Sequence, residues 1–175
     1  MSYAIKDIFK TLHGEGAQMG PAAVFCRYAD CNLWSGREGD RATSASTFCG
    51  SDFVSMDGTG GGRCADADAL ADAIAAEWRG SSANRYVVLT EGEPLLQVDD
   101  ALVAVLHARD FEIGVDTNGT QVAPAGFRHL AFNHFFLQQM DLPTAAANLE
   151  AAITYCTDNP RWRLSHQSHK MIGMR

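Results

Sequence analysis

Four stretches of the chain are rich in β-branched and aromatic residues and read as strands: "YAIKDIF" (3–9), "AAVFCRY" (22–28), "RYVVLT" (85–90) and "FEIGVDT" (111–117). The apolar run "HLAFNHFFL" (129–137) contains one more, and "RWRLSHQ" (161–167) is a candidate last strand. Between them the period changes. Ala67, Leu70, Ala71, Ile74, Ala75 and Trp78 form one apolar stripe at helical spacing, and Asp66 and Asp68 suit the first turn of that helix. "DDALVAVLHARD" (99–110) predicts a second helix with Leu102, Val105 and Leu106 facing inward. Asn148 precedes a third, with Leu149, Ala152, Ile153 and Cys156 on one face and Asn159-Pro160 at its end. A loop from about Ala29 to Arg63 is the longest segment without either period. Strands alternating with helices imply βα units and a mostly parallel α/β sheet.

Such sheets bind ligands beyond the carboxyl ends of their strands. Four polar or glycine-bearing stretches follow predicted strands: "TLHGEG" (11–16), the loop holding Cys31, "TEGEP" (90–94) and "DTNGT" (116–120). "QQMD" (138–141) follows the apolar run. Each is a plausible turn by composition. All five falling at one end of the sheet points to a site.

Length and composition narrow the classes. A chain of 175 residues fits one domain, taken here as 1–175 with the long loop (about 29–63) inside it. A hydrophobic content of 46% supports a packed core. The formal charge of −7 argues against nucleic acid or an anionic membrane as partner. No apolar run reaches membrane-spanning length, "MSYAIKDIFK" lacks signal-peptide organisation, and a cytoplasmic protein is expected. Five cysteines, an odd number at modest density, favour thiols or metal ligands over a disulfide framework.

Cys31 and Cys49 lie on the long polar loop, where a soft-metal site is one reading and two unrelated thiols the other. A zinc site needs further ligands, for which Cys64, His13 or His169 are candidates, but no close CxxC or HxxxH spacing supports it. "HGEG" sets an acid between glycines that let backbone approach a ligand. Arg27 ends an apolar strand and could pair with a substrate carboxylate through two parallel N–H bonds, although a lone arginine is more often structural.

The run from Tyr3 to Trp34, with "TEGEP", "DTNGT", "QQMD" and "WRLSHQSHK", strongly resembles the 7-carboxy-7-deazaguanine synthases. These are radical S-adenosylmethionine (SAM) enzymes of queuosine and 7-deazapurine biosynthesis. The resemblance spans nearly the whole chain. It implies an incomplete (β/α) barrel of radical SAM type and conversion of 6-carboxy-5,6,7,8-tetrahydropterin to 7-carboxy-7-deazaguanine. It also implies a 4Fe-4S cluster, SAM and Mg2+ as cofactors, a homodimer, and a reductant such as flavodoxin. By position, Leu12, His13, Gly14, Glu15, Arg27, Thr90 and His169 would border the pterin. Gly92, Glu93, Asn118, Gln138, Gln139, Met140 and Asp141 would contact SAM. Cys31 and Cys49 would be the outer cluster ligands, and Ser51 would stand for a Mg2+-binding threonine.

The chain departs from the family pattern inside this site. The family's middle cluster cysteine falls on Ser46. "TEGEP" replaces T-G-G-E-P, bringing Glu91 beside the expected SAM amino acid. Only "QVAPAGFRHLAFNHFFL" lies between "DTNGT" and "QQMD", where the family carries two further strands, and Arg175 replaces a terminal proline. These departures raise a second expectation: a catalytically impaired descendant that binds a ligand or a protein partner.

Overall fold

The computed structural model describes residues 1–47, 49–127, 135–138, 144–166 and 173. Strand β1 covers Tyr3–Leu12, β2 Ala22–Tyr28, β3 Gly62–Cys64, β4 Arg85–Thr90, β5 Phe111–Val115, β6 Phe135–Gln138 and β7 Trp162–Ser165. Helix α1 covers Ala67–Glu77, α2 Asp100–Ala108 and α3 Ala145–Asp158. The chain packs as two compact units, one of residues 1–10 and 23–128, the other of residues 11–22 and 129–175.

A five-stranded sheet runs in the order β3-β1-β2-β4-β5. β2, β4 and β5 are mutually parallel, with Arg27 opposite Thr90 and Leu89 opposite Val115. The three-residue β3 runs antiparallel to β1, Tyr3 opposite Cys64. It replaces the end of the expected loop. Its cue is faint: two of its three residues are Gly62 and Arg63, poor carriers of an alternating pattern.

Both first-unit helices start on an aspartate that folds onto its own first turn. Asp66 accepts the Ala69 N–H at 2.9 Å, and Asp99 accepts the Leu102 N–H at 3.0 Å. The predicted stripes bury in large part, with Ala75 and Trp78 only half-buried and Val103 of α2 enclosed where the pattern had put Val105. Leu70 and Ile74 of α1 and Leu102 and Leu106 of α2 are fully enclosed with Tyr3, Ile5, Val24, Cys26, Val87 and Leu89 of the sheet. Each such side chain contributes roughly 1.5–3 kcal/mol. Arg109, just past α2, reaches Asp68 and Asp72 of α1 at 3.1 and 2.7 Å.

Strand β1 does not keep a strict period of two. Tyr3 and Ile5 belong to the core, but so does Ile8. The alternation slips by one residue between them, and Asp7 turns instead toward Arg27 of β2. The slip coincides with a loop of glycines laid against β1. Gly58 donates its N–H to Lys6 O, and a Cβ on Gly61 would stand 2.2 Å from that same oxygen. Only glycine permits this approach.

In the second unit, β6 and β7 pair in parallel from Phe135 opposite Trp162 to Gln138 opposite Ser165. α3 begins at Ala145, ahead of the expected start after Asn148. Ala145, Ala146 and Ala147 are strong helix formers and extend it backward. Its expected apolar face is only partly covered. Ala152 is buried, whereas Ile153 is 46% exposed. Among the described residues no helix is long and apolar enough to cross a membrane.

Candidate active site

Three of the stretches singled out from the sequence leave the carboxyl ends of β2, β4 and β5 and meet one another. Their meeting point is held by backbone. Asp30, in a left-handed conformation at φ 78°, offers its carbonyl to the Glu93 N–H at 3.0 Å. Gly92 passes so close that a Cβ there would lie 2.2 Å from Asp30 O, and its φ of 56° is itself a glycine conformation. The single glycine of "TEGEP" is therefore required by packing of the turn.

Glu93 sits at the centre. Its carboxylate is fully buried and accepts from Leu95 N, from the Thr117 hydroxyl and from Asn118 N at 2.7–2.9 Å. Both oxygens are engaged, so Glu93 binds the "TEGEP" turn to the "DTNGT" loop. Asn118 in turn donates through Nδ2 to Asn32 Oδ1 at 3.0 Å and, more weakly, to the Cys31 sulfur at 3.9 Å. Asn32 Nδ2 reaches the Thr120 hydroxyl at 2.8 Å. Cys31, Asn32, Glu93 and Asn118 thus share one locality.

Arg27 and Thr90 are register partners on β2 and β4. The Arg27 guanidinium is mostly enclosed. Nη1 donates to Asp7 Oδ2 at 3.0 Å, and Nη2 donates to Glu91 Oε2 at 2.8 Å and to Asp52 O at 3.4 Å. Glu91 holds a left-handed backbone, φ 55°. Burial pushes its carboxyl above the usual range, and the Arg27 guanidinium pulls it back. Asp7 was not anticipated. The available signal was the "KD" pair inside an otherwise apolar strand, where a charge needs a partner. Lys6, its neighbour, ties the far end of the cysteine loop to β1 through Asp57 at 2.7 Å and Asp52 at 3.1 Å.

The cysteine loop turns on Trp34, which packs edge-on against Phe53 and lies beneath the Arg41 guanidinium. Ser46 is buried, and its N–H donates to Leu33 O at 3.0 Å. That bond folds the Ser46 position back toward the turn that carries Cys31. Cys31 and Cys49 are both half-buried free thiols. Ser51 is half-buried on the segment that leads to Phe53.

The remaining candidates divide differently. Leu12, His13, Gly14 and Glu15 belong to the second unit. There His13 exchanges backbone hydrogen bonds with Pro21 and Gly20, and Gly16 N donates to the buried Ser165 hydroxyl at 3.1 Å. Gln138 closes β6. His169, Gln139, Met140 and Asp141 lie outside the described residues, as does Arg175.

The 7-carboxy-7-deazaguanine synthase of Bordetella pertussis is 51% identical over 209 aligned positions, covering 99% of this chain and 100% of the relative. That of Bradyrhizobium diazoefficiens is 53% identical over 210 positions, covering 100% of both. The chain belongs to the 7-carboxy-7-deazaguanine synthase family. No family model matches the chain. The crystal structure of QueE from Escherichia coli superposes with a TM-score of 0.63 at 20% identity, over 95% of this chain and 94% of that one, which supports the mixed α/β fold. The synthase alignments run over 209 and 210 positions against 175 residues here, so the relatives carry internal positions with no counterpart in this chain.

Membership in a radical SAM family implies an iron–sulfur cluster. Such clusters are held by thiolates, and a serine hydroxyl stays protonated where a thiol ionises at about pH 8.5. The Ser46 position is buried within the cysteine loop, and among the described residues no group of three His, Cys, Asp or Glu gathers as a metal site. The residues present do not fit a cluster held by three thiolates of this chain.

Proposed function

We propose that the protein serves the reaction of its family, the conversion of 6-carboxy-5,6,7,8-tetrahydropterin to 7-carboxy-7-deazaguanine in queuosine or 7-deazapurine biosynthesis. The observation that carries this is full-length identity above one half to two synthases. The geometry supports the substrate half of the site. Arg27 is a fixed, largely enclosed guanidinium beside Thr90 at the carboxyl ends of the parallel strands, suited to the pterin carboxylate.

Residues 1–175 are read as a single radical SAM-like domain with an incomplete (β/α) barrel, and Leu12, His13, Gly14, Glu15 and His169 as the remaining pterin border. Gly92, Asn118 and Gln138–Asp141 are read as the SAM side, with Glu93 positioning the loop that Asn118 presents. Ser51 is the Mg2+ candidate, and homodimerisation, a flavodoxin-type reductant and a cytoplasmic location complete the reading.

A second reading is favoured by one observation. Ser46 occupies the middle cluster position and is buried there. In this reading the chain keeps pterin recognition and has lost turnover. An anaerobic incubation with SAM, dithionite and 6-carboxytetrahydropterin separates the two. Formation of 7-carboxy-7-deazaguanine, detected by mass, supports the first. Retained pterin binding without product supports the second.

A further inference from the structure

Both terminal nitrogens of the Arg27 guanidinium are already occupied by the chain itself, while its buried Nε has no partner among the described residues. A guanidinium can clasp a carboxylate along two edges, Nε with Nη2 or Nη1 with Nη2. Both edges use Nη2. Here the two hydrogens of Nη2 go to Glu91 Oε2 at 2.8 Å and Asp52 O at 3.4 Å. Nη1 is held by Asp7 at 3.0 Å, and the Asp7 side chain is only 2% exposed, so that partner is fixed. Glu91 is the partner that can leave. Its side chain is 25% exposed, and it follows β4 on a backbone that an L-residue adopts at a cost. Asp7 and Glu91 together set two negative charges on one positive group. An entering carboxylate would be the third.

We infer that Glu91 is a specificity-determining residue: an internal carboxylate that competes for the Arg27 seat and weakens the chain's preference for carboxylate-bearing pterins. This rests on the reading that Arg27 receives the substrate carboxylate. A carboxylate ligand must displace Glu91 from Nη2, leaving a partly buried acid without its cation, or settle for a single hydrogen bond. A pterin without the carboxyl group meets no such competition. The chain therefore discriminates less between the two than an open arginine would.

The test measures equilibrium binding of two fluorescent probes, 6-carboxypterin and pterin, to the full chain and to Glu91→Gln and Glu91→Gly. Glu91→Gln keeps the size and backbone and removes the charge, and Glu91→Gly also removes the left-handed strain. Both variants are expected to bind 6-carboxypterin at least about tenfold more tightly, with pterin affinity held within about twofold. Unchanged 6-carboxypterin affinity in both, or an equal gain for both probes, overturns the inference. A third arm adds Arg27→Ala to the Glu91→Gly chain. Loss of the preference for 6-carboxypterin supports the Arg27 seat. Survival of that preference removes the seat itself and the inference with it. If binding depends on Arg27 but not on Glu91, only the role of Glu91 fails.

Discussion

Glu93 accepts the backbone N–H of Asn118 at 2.7 Å across 25 residues of chain, and through that bond two separate strand ends become one surface. The carboxylate is fully buried and also receives Thr117 and Leu95. Removing it leaves the buried Leu95 N–H without its acceptor and cuts the bonds that hold the exposed Thr117 and Asn118 in place. Glu93→Ala is expected to cost about 2 kcal/mol. Glu93→Gln keeps one acceptor oxygen and should cost less. Urea unfolding of both variants checks the ranking, and hydrogen exchange at Asn118 should quicken in each.

Gly92 makes a companion case from backbone alone. A methyl group would meet Asp30 O at 2.2 Å, and the φ of 56° suits only glycine well. Gly92→Ala is expected to lose about 2 kcal/mol or more of stability. Thermal unfolding decides this. An unchanged Tm would show that the turn relaxes freely.

The link from Lys6 to Asp57 gives the loop a definite acid limit. The Lys6 ammonium, then the Ser55 hydroxyl, lower the Asp57 carboxyl from its ordinary 3.8 to about 2. A depressed folded value means that the contribution is present above pH 3.8 and is lost as pH falls toward 2. Asp57→Asn should therefore be less stable than the parent above pH 4, and the two should converge near pH 2. A difference that persists at low pH would mean that the asparagine acts by another route. High salt should shrink the effect, because Asp57 is exposed.

Much of this fold was legible because local signals agreed. β2 and β4 fall on the predicted residues, and Asp66 and Asp99 cap the helices they precede. α3 began early because an alanine run outweighed the Asn148 signal. β3 was illegible because its pairing with β1 comes from glycines whose close approach no hydropathy pattern records. In the site, Arg27 and Glu91 were each visible as motif residues, but their pairing was not. It depends on a left-handed residue and on a slip in β1 that brings Asp7 round. Glu93 was read as a ligand contact from its motif, and the bonds by which its buried carboxylate ties the "TEGEP" turn to the "DTNGT" loop were not legible there.

Ser46 makes a prediction about metal. The parent chain, reconstituted anaerobically with iron and sulfide, should retain well below the iron of a full 4Fe-4S cluster. Ser46→Cys should raise iron, sulfide and visible absorption together. A full complement on the parent chain would show that another ligand completes the set.

The central claim is that Arg27 receives a pterin carboxylate, and calorimetry tests it most directly. 6-Carboxy-5,6,7,8-tetrahydropterin is titrated anaerobically, without SAM, into the parent chain and into Arg27→Ala, with circular dichroism verifying that both are folded. The account predicts saturable binding to the parent and its loss in the variant, since the carboxylate loses its charged partner. Equal affinity for parent and variant would contradict it.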